Sequence, residues 1–217
     1  LEHDMLEAPD YVAEDPSHRP PHEVFDAIAV TGYFSGDLHN EAKQSLLQSW
    51  LTESLAAAEA SAEEQGLSGT ARTEYLAAHR FDLAIDLAAQ ELLDGSVSGN
   101  PENSVRDLID RTLTHHAAIA RAYDLALVMY EGGTHVVVNP ENHGDQDLVD
   151  FFIALNYSPQ MGDLYRALLT GWRTLTPAPF MAYMDIGKPS IWGSWGALRH
   201  LDDQNPRWDA LMDATTR

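Results

Sequence analysis

Cysteine is absent from the 217-residue sequence, and basic residues are scarce. The absence of cysteine excludes disulfide bonds, thiolate metal sites and a cysteine nucleophile. Thirteen lysines and arginines stand against 34 aspartates and glutamates, which gives a formal net charge of −21. Such a surface repels nucleic acids and anionic membranes, so we expect neither as a partner.

Long apolar runs are also missing, and no signal peptide is expected in this sequence. No stretch approaches the ~20 apolar residues that a membrane-spanning helix needs. The sequence starts at Leu1 rather than at methionine, which predicts an upstream segment that is absent or has been removed. A hydrophobic content of 44% is typical of a globular protein with a real core.

The stretch from residue 125 to residue 138 is the most informative part of the chain. An apolar run, Leu125–Tyr130, leads directly into Glu131, two glycines and then His135. A short apolar run bounded by glycine is typical of a strand buried on both faces. A carboxylate at the end of such a strand lies where α/β folds place their sites. We therefore predict a functional Glu131; the alternative is a structural carboxylate that pairs with an arginine or caps the loop.

The pattern along the chain predicts an α/β protein. The proline-rich residues 1–24 are expected to form an extended arm. Strands are predicted at Phe25–Phe34, in the central apolar run and at Phe180–Ile186, and helical spacing predicts helices at 41–64, 70–93, 101–122, 147–156 and 159–175, with a short one after Pro206. Alternating strands and helices favour a parallel sheet. The long helical region between the first two strands predicts an insertion at about residues 41–100.

Polar and aromatic side chains follow all three predicted strands. Because the carboxyl ends of parallel strands meet at one edge of a sheet, we expect these side chains to lie close together; they are Tyr33, His39, Glu131, His135, Asp185, Trp192 and Trp195. Carboxylates beside aromatic rings are typical of a sugar site, because the rings stack on pyranose faces and the carboxylates do the chemistry. The histidine after Glu131 is alternatively a loop residue, and the tryptophans alternatively fill space.

Three stretches together resemble a known family. They are Tyr-Glu-Gly-Gly-Thr-His at 130–135, Met-Gly-Asp-Leu-Tyr at 161–165 and Ser-Ile-Trp-Gly-Ser-Trp-Gly-Ala-Leu at 190–198. They look like the C-terminal half of bacterial glycoside-hydrolase-like (β/α)8 barrels, which resemble the clan A retaining glycosidases. The resemblance implies that residues 25–217 form the C-terminal part of a TIM-type barrel. It also implies that Glu131 is the nucleophile, that Tyr33 lines the site and orients Glu131, and that Trp192 or Trp195 stacks on the sugar.

The chain departs from that family at one point. The acid/base glutamate of the clan has no counterpart here, so we expect it to come from outside the visible chain. The predicted activity is then retaining hydrolysis of a glycosidic bond, without a cofactor. The alternative is a non-catalytic carbohydrate-binding or assembly protein that keeps the groove. A third reading is a metal-dependent hydrolase that uses Glu131, His135 and Asp185.

The resemblance also predicts partners and location. Carbohydrate is the expected ligand. Three strands cannot close a barrel, and an open sheet edge with an apolar face is rare in soluble monomers. We therefore expect another protein chain or a lost N-terminal segment to complete the barrel. A polysaccharide substrate indicates a secreted or extracellular protein.

Overall fold

A two-stranded parallel sheet lies at the centre of the fold. The computed structural model describes residues 2–215, so Leu1 and residues 216–217, the last two of the predicted barrel region, lie outside it. Strand β1 spans Ala27–Phe34 and strand β2 spans Ala126–Thr134. The strands run parallel to each other, as the alternation of elements predicts.

Helices supply most of the other regular structure among residues 2–215. They are α1 (Glu2–Glu7), α2 (Pro9–Glu14), α3 (Glu41–Glu64), α4 (Gly69–His79), α5 (Asp82–Asp94), α6 (Val105–Asp107), α7 (Thr114–Ala122), α8 (Gln146–Asn156), α9 (Pro159–Leu175) and α10 (Pro206–Thr215). A π-helical turn, Leu108–Leu113, joins α6 to α7, and short 3₁₀ turns lie at Pro21–Glu23 and Pro140–Asn142. No helix in this described part of the chain has both the length and the apolar character to cross a membrane.

The core lies between one face of the sheet and the helices. Fully or almost fully buried side chains include Phe34 from β1, Met129 from β2, Phe151 from α8 and Trp172 from α9. These large apolar groups provide the main driving force for folding, since burial of each is worth about 1.5–3 kcal/mol. Helices α8 and α9 begin at well-formed caps, because Asp145 and Ser158 accept hydrogen bonds from the first-turn backbone N–H groups.

The prediction of a partial TIM-type barrel is wrong. Within residues 2–215 the sheet consists of β1 and β2 alone, and the predicted third strand at Phe180–Ile186 forms only isolated bridges. One bridge joins Ala182 to Gly132. The apolar composition of this run was misleading, because Met181 and Ile186 are exposed rather than packed on both faces of a sheet. The adjacent Pro177-Ala178-Pro179 stretch also lacks the N–H groups that a continuous ladder needs.

Three other regions differ from the predictions in detail. The single helix predicted at 70–93 is divided into α4 and α5 at Arg80-Phe81. Tertiary contacts stabilise the break, because Arg80 forms salt bridges with Asp147 and Asp150 on α8. Residues 1–24, predicted as extended, contain the short helices α1 and α2. The helix predicted from Pro101 begins four residues later, because Ser104 rather than Asn100 supplies its cap.

Candidate functional site

A β-bulge decides where the Glu131 side chain points. Val30 of β1 lies opposite Met129 of β2, but the next residue, Thr31, lies opposite Glu131, so Tyr130 is an extra residue on β2. In a regular strand, alternate residues share a face, and Glu131 would lie on the buried face with Met129. The bulge moves Glu131 to the other face of the sheet, where Tyr33 also lies. Bulges that re-aim a side chain are common next to functional sites.

The two glycines after Glu131 are required by close packing. A Cβ atom on Gly132 would lie 2.7 Å from the Gly32 carbonyl oxygen and 2.8 Å from the Phe180 ring. Gly133 has a φ of +135°, and a Cβ atom there would lie 2.5 Å from the Tyr165 hydroxyl. Side chains at these positions would therefore push β2 away from its neighbours and displace Glu131.

Tyr33 is the direct partner of Glu131. The Glu131 carboxylate lies close enough to the Tyr33 hydroxyl to act on its pKa through charge and hydrogen bonding. Burial raises the pKa of Tyr33 well above its usual range, and the negative charge and hydrogen bond of Glu131 raise it further. The phenol is therefore protonated at neutral pH, so its O–H is the hydrogen-bond donor and the Glu131 carboxylate is the acceptor. A donor in this position fixes one carboxylate oxygen and orients the group.

Aromatic rings and an imidazole surround this pair. The Tyr33 ring centroid lies 5.9 Å from that of His135, 6.4 Å from that of Tyr183 and 6.4 Å from that of Trp195. His135 and Trp195 are 5.3 Å apart, and Tyr183 and Trp195 are 5.7 Å apart. All five contacts are edge-on or tilted, an arrangement that stabilises aromatic pairs beyond simple burial. The result is one carboxylate within an aromatic cluster, which we call the Glu131 site.

A second histidine completes the Glu131 site. The His39 ring lies 6.0 Å from the His135 ring, and its Nδ1 atom is buried with no hydrogen-bond partner among the described residues. Burial lowers the pKa of His135, and the nearby His39 lowers it further. A neutral imidazole offers one donor and one acceptor, which suits hydrogen bonding to sugar hydroxyl groups.

Trp195 reaches the site from an irregular loop that polar groups hold in place. Its indole N–H donates to the Trp192 carbonyl at 2.9 Å. The Tyr157 hydroxyl donates to the Gly196 carbonyl at 3.1 Å. Because the loop lacks a regular ladder, bonds of this kind determine where the Trp195 ring lies.

The other two predicted residues lie outside the Glu131 site. Trp192 is 65% exposed and its ring packs against His143 at 4.7 Å, rather than against Tyr33. Asp185 lies on the wall of a separate cavity of about 610 Å³, between α9, α10 and the segment after α9. The structure therefore brings together Tyr33, Glu131, His135 and Trp195, but neither Asp185 nor Trp192.

Sequence reasoning missed Tyr183 as a member of the site. It lies inside the run that was predicted as the third strand, so it was interpreted as one of the apolar strand residues rather than as a site residue. The bridge between Ala182 and Gly132, together with the Tyr183 N–H bond to the Gly132 carbonyl, brings it next to the end of β2. The one signal in the sequence for this residue was its aromatic ring, close to Asp185 at the end of the predicted strand.

A metal centre receives no support from the geometry. In the part of the chain that the structure describes, no group of three or more His, Asp or Glu side chains is placed to hold a metal ion. The reading that joins Glu131, His135 and Asp185 in one metal site needs Asp185 beside His135, whereas the structure places Asp185 on the wall of the other cavity.

The chain was also compared with known proteins. Searches against family models, curated proteins and solved structures find no match.

Proposed function

We propose that this protein is a glycoside hydrolase-like protein that binds carbohydrate at the Glu131 site, with Glu131 as the nucleophile of a retaining reaction. One observation carries the proposal: a carboxylate oriented by Tyr33 lies among the rings of His135, Tyr183 and Trp195. Exposed faces of aromatic rings stack on sugars, while a carboxylate supplies the nucleophile that retaining hydrolysis requires.

The proposed chemistry has two steps. Glu131 attacks the anomeric carbon, and the bond to the leaving-group oxygen breaks as a second carboxylic acid protonates that oxygen. Water then attacks the glycosyl-enzyme, gives its proton to the second carboxylate and releases Glu131. Tyr33 stays neutral, so it donates to one Glu131 oxygen and leaves the other oxygen free to attack. We expect the second carboxylate to come from a polypeptide outside residues 1–217.

A non-catalytic carbohydrate-binding role is the second candidate. The ring contacts and hydrogen bonds described above bring tyrosine, histidine and tryptophan to Glu131, whereas Asp107, a carboxylate that shares a cavity with Tyr33, is paired with Arg111. Retaining hydrolysis needs a second carboxyl group about 5–5.5 Å away. A site without that group would still bind sugar through its rings and imidazoles.

A partner chain or segment is part of the proposal. Parallel sheets are normally covered on both faces, yet Ala29, Thr31 and Tyr130 are exposed on this sheet, with Tyr130 58% accessible. We propose that another polypeptide covers this face and carries the acid/base group. A polysaccharide substrate would also place the protein outside the cell. Light scattering in the presence and absence of candidate partners tests the first point, and a stable, fully active monomer contradicts it.

Activated glycosides test the nucleophile without the missing acid. The dinitrophenolate of a 2-deoxy-2-fluoro dinitrophenyl glycoside leaves without protonation, and the fluorine slows the second step by disfavouring the oxocarbenium-like transition state. We expect gluco-, galacto- or manno-configured reagents to add one glycosyl mass to the wild type. Glu131→Gln should add none, whereas Glu141→Gln, which changes an exposed turn residue, should label normally.

The same experiment separates the two candidates. If the protein binds sugar through Trp195 but Glu131 is not labelled, the result supports the non-catalytic role. The absence of both labelling and binding across the panel contradicts the carbohydrate proposal itself.

A further inference from the structure

Arg207 is a fully buried cation close to the Glu131 site. It occupies the second position of α10, and its side chain has no solvent exposure. A buried guanidinium is costly unless its donors are satisfied. Its partners among the described residues are backbone carbonyls and tyrosine rings, while its Nε atom is buried without a hydrogen-bond partner, so its charge must be balanced by dipoles and π-systems.

The carbonyl partners of Arg207 flank the tryptophan of the site. Nη1 donates to the Ser194 carbonyl at 2.9 Å, and Nη2 donates to the Gly196 carbonyl. These two carbonyls belong to the residues on either side of Trp195. The planar guanidinium has a fixed fork of donors, so it holds the two peptide groups, and the Trp195 backbone between them, in one geometry.

The ring partners of Arg207 connect the same group to β2. Its Cζ atom lies 4.7 Å from the centroid of Tyr157 and 5.9 Å from that of Tyr165. The Tyr165 hydroxyl accepts a hydrogen bond from the Thr134 N–H at 3.1 Å, at the end of the strand that carries Glu131. Cation–π contacts within about 6 Å stabilise such stacks, most strongly when they are desolvated.

We propose that Arg207 is a positioning residue for the Glu131 site, because it sets the distance between the Trp195 ring and the carboxylate. Arg207 touches neither the sugar nor Glu131; it acts through the carbonyls beside Trp195 and through Tyr165. The role of the site in carbohydrate binding rests on the proposed function, whereas the position of Trp195 does not.

Fluorine NMR of 5-fluorotryptophan-labelled protein tests the proposal directly. The Trp195→Phe variant assigns one of the five tryptophan signals. In Arg207→Met we expect the Trp195 signal to shift and broaden while the Trp172 signal in the core stays in place. Arg199→Met is the matched control, because Arg199 also lies over Tyr157, at 4.8 Å, but makes its side-chain hydrogen bonds with Asp203. It should leave the Trp195 signal unchanged.

Arg207→Lys provides the second variant. Lysine keeps the charge but presents a compact ammonium that lacks the fork geometry, so we expect an intermediate shift of the Trp195 signal. Sugar affinity should fall about tenfold or more in Arg207→Met, with an unchanged rate of Glu131 labelling at saturating reagent. An unmoved Trp195 signal in a folded Arg207→Met protein overturns the proposal. Global unfolding of both variants also overturns it, because it assigns Arg207 to overall stability.

The outcomes keep the two proposals apart. If the wild type binds no sugar but the Trp195 signal moves in Arg207→Met, the proposed function fails and the positioning role stands. If the wild type binds sugar and the signal does not move, the reverse holds.

Discussion

The helical part of the chain, residues 27–175, and the irregular segment that follows it, residues 176–205, are held in different ways. The first buries large apolar side chains on one face of the sheet. The second is held by polar groups that donate to its carbonyls, such as the Trp172 indole to Ala178 and the Asn205 amide to Ala197. We infer that the helical part supplies most of the stability, while the segment supplies the geometry of the site.

Each part is also held by a buried cation, Lys43 in the helical part and Arg207 of α10 against the irregular segment, and the two cations differ in their partners. Lys43 binds the Gly36 carbonyl at 2.6 Å and the Glu91 carboxylate at 2.5 Å. Ser98 donates two further hydrogen bonds to Glu91. Arg207 instead binds carbonyls beside Trp195. The pair of Lys43 and Glu91 fixes helix α3 against α5 and the end of β1. Arg207 fixes the position of Trp195, a side chain of the site.

The largest expected effect is the loss of the nucleophile. Glu131→Gln should slow glycosyl transfer to the protein by more than about 10⁴-fold, as removal of a nucleophile does in other enzymes. The free energy of unfolding should change little, because Glu131 lies on the face of the sheet away from the core. Stopped-flow release of dinitrophenolate measures the rate, and urea unfolding measures stability. Equal labelling of wild type and variant would contradict the role of Glu131.

The next largest effect concerns the buried pair in the helical part. Lys43→Met leaves Glu91 buried without its cation, and we expect the free energy of unfolding to fall by about 3–5 kcal/mol. Arg166→Met removes an exposed ion pair with Asp163 and should cost less than about 1 kcal/mol. The double variant Lys43→Met/Glu91→Leu should recover much of the loss. An unchanged unfolding midpoint in Lys43→Met would show that the pair does not stabilise the helical part.

Removal of the Tyr33 hydroxyl should have a smaller effect, confined to the site. Tyr33→Phe keeps the ring contacts with His135 and Trp195 but removes the donor to Glu131. A hydrogen bond to a charged group contributes about 1.5–3 kcal/mol, so we expect labelling to slow by about 10- to 100-fold. Tyr183→Phe is the matched control, because it deletes a hydroxyl from a neighbouring ring. If both variants label at the wild-type rate, Tyr33 does not orient Glu131.

The smallest effect is a pH dependence that distinguishes the Glu131 site from the buried pair in the helical part. The pKa of His135 is lowered on folding, so the unfolded chain binds more protons and stability falls as the pH drops below about 6.5. Burial alone would raise the pKa of Glu91, but hydrogen bonds from Lys43 and Ser98 lower it. The stability that ionised Glu91 contributes is therefore lost only below about pH 4.3. When urea unfolding is measured over a range of pH, His135→Phe should remove the loss of stability below about pH 6.5 and leave the loss below about pH 4.3. A pH profile that His135→Phe does not alter contradicts this account.

Much of the regular structure could be predicted from the sequence. Strand β1, strand β2 and helices α3, α8 and α9 follow from apolar spacing, glycine and capping signals, which are local properties of the chain. The parallel arrangement also follows, since helices must connect the two strands. The third strand at Phe180–Ile186 was wrong because an apolar run does not show what covers it.

Less of the site could be predicted, because it depends on contacts between distant residues. Glu131, Tyr33, His135 and Trp195 were predicted as neighbours from their places after strands. The bulge at Tyr130 has no local signature, yet it decides the face on which Glu131 lies. The space beside the two glycines is taken by Phe180 and by Tyr165, which local spacing cannot foresee.

The most direct test of the central claim is the location of the label on the protein. Trypsin should release the peptide from Ala122 to Arg166, which contains Glu131. After treatment with the fluorinated dinitrophenyl glycoside, we predict that fragment ions from this peptide place the added glycosyl mass on Glu131. A label on any other residue, or unmodified protein with every sugar of the panel, would contradict the assignment of Glu131 as the nucleophile.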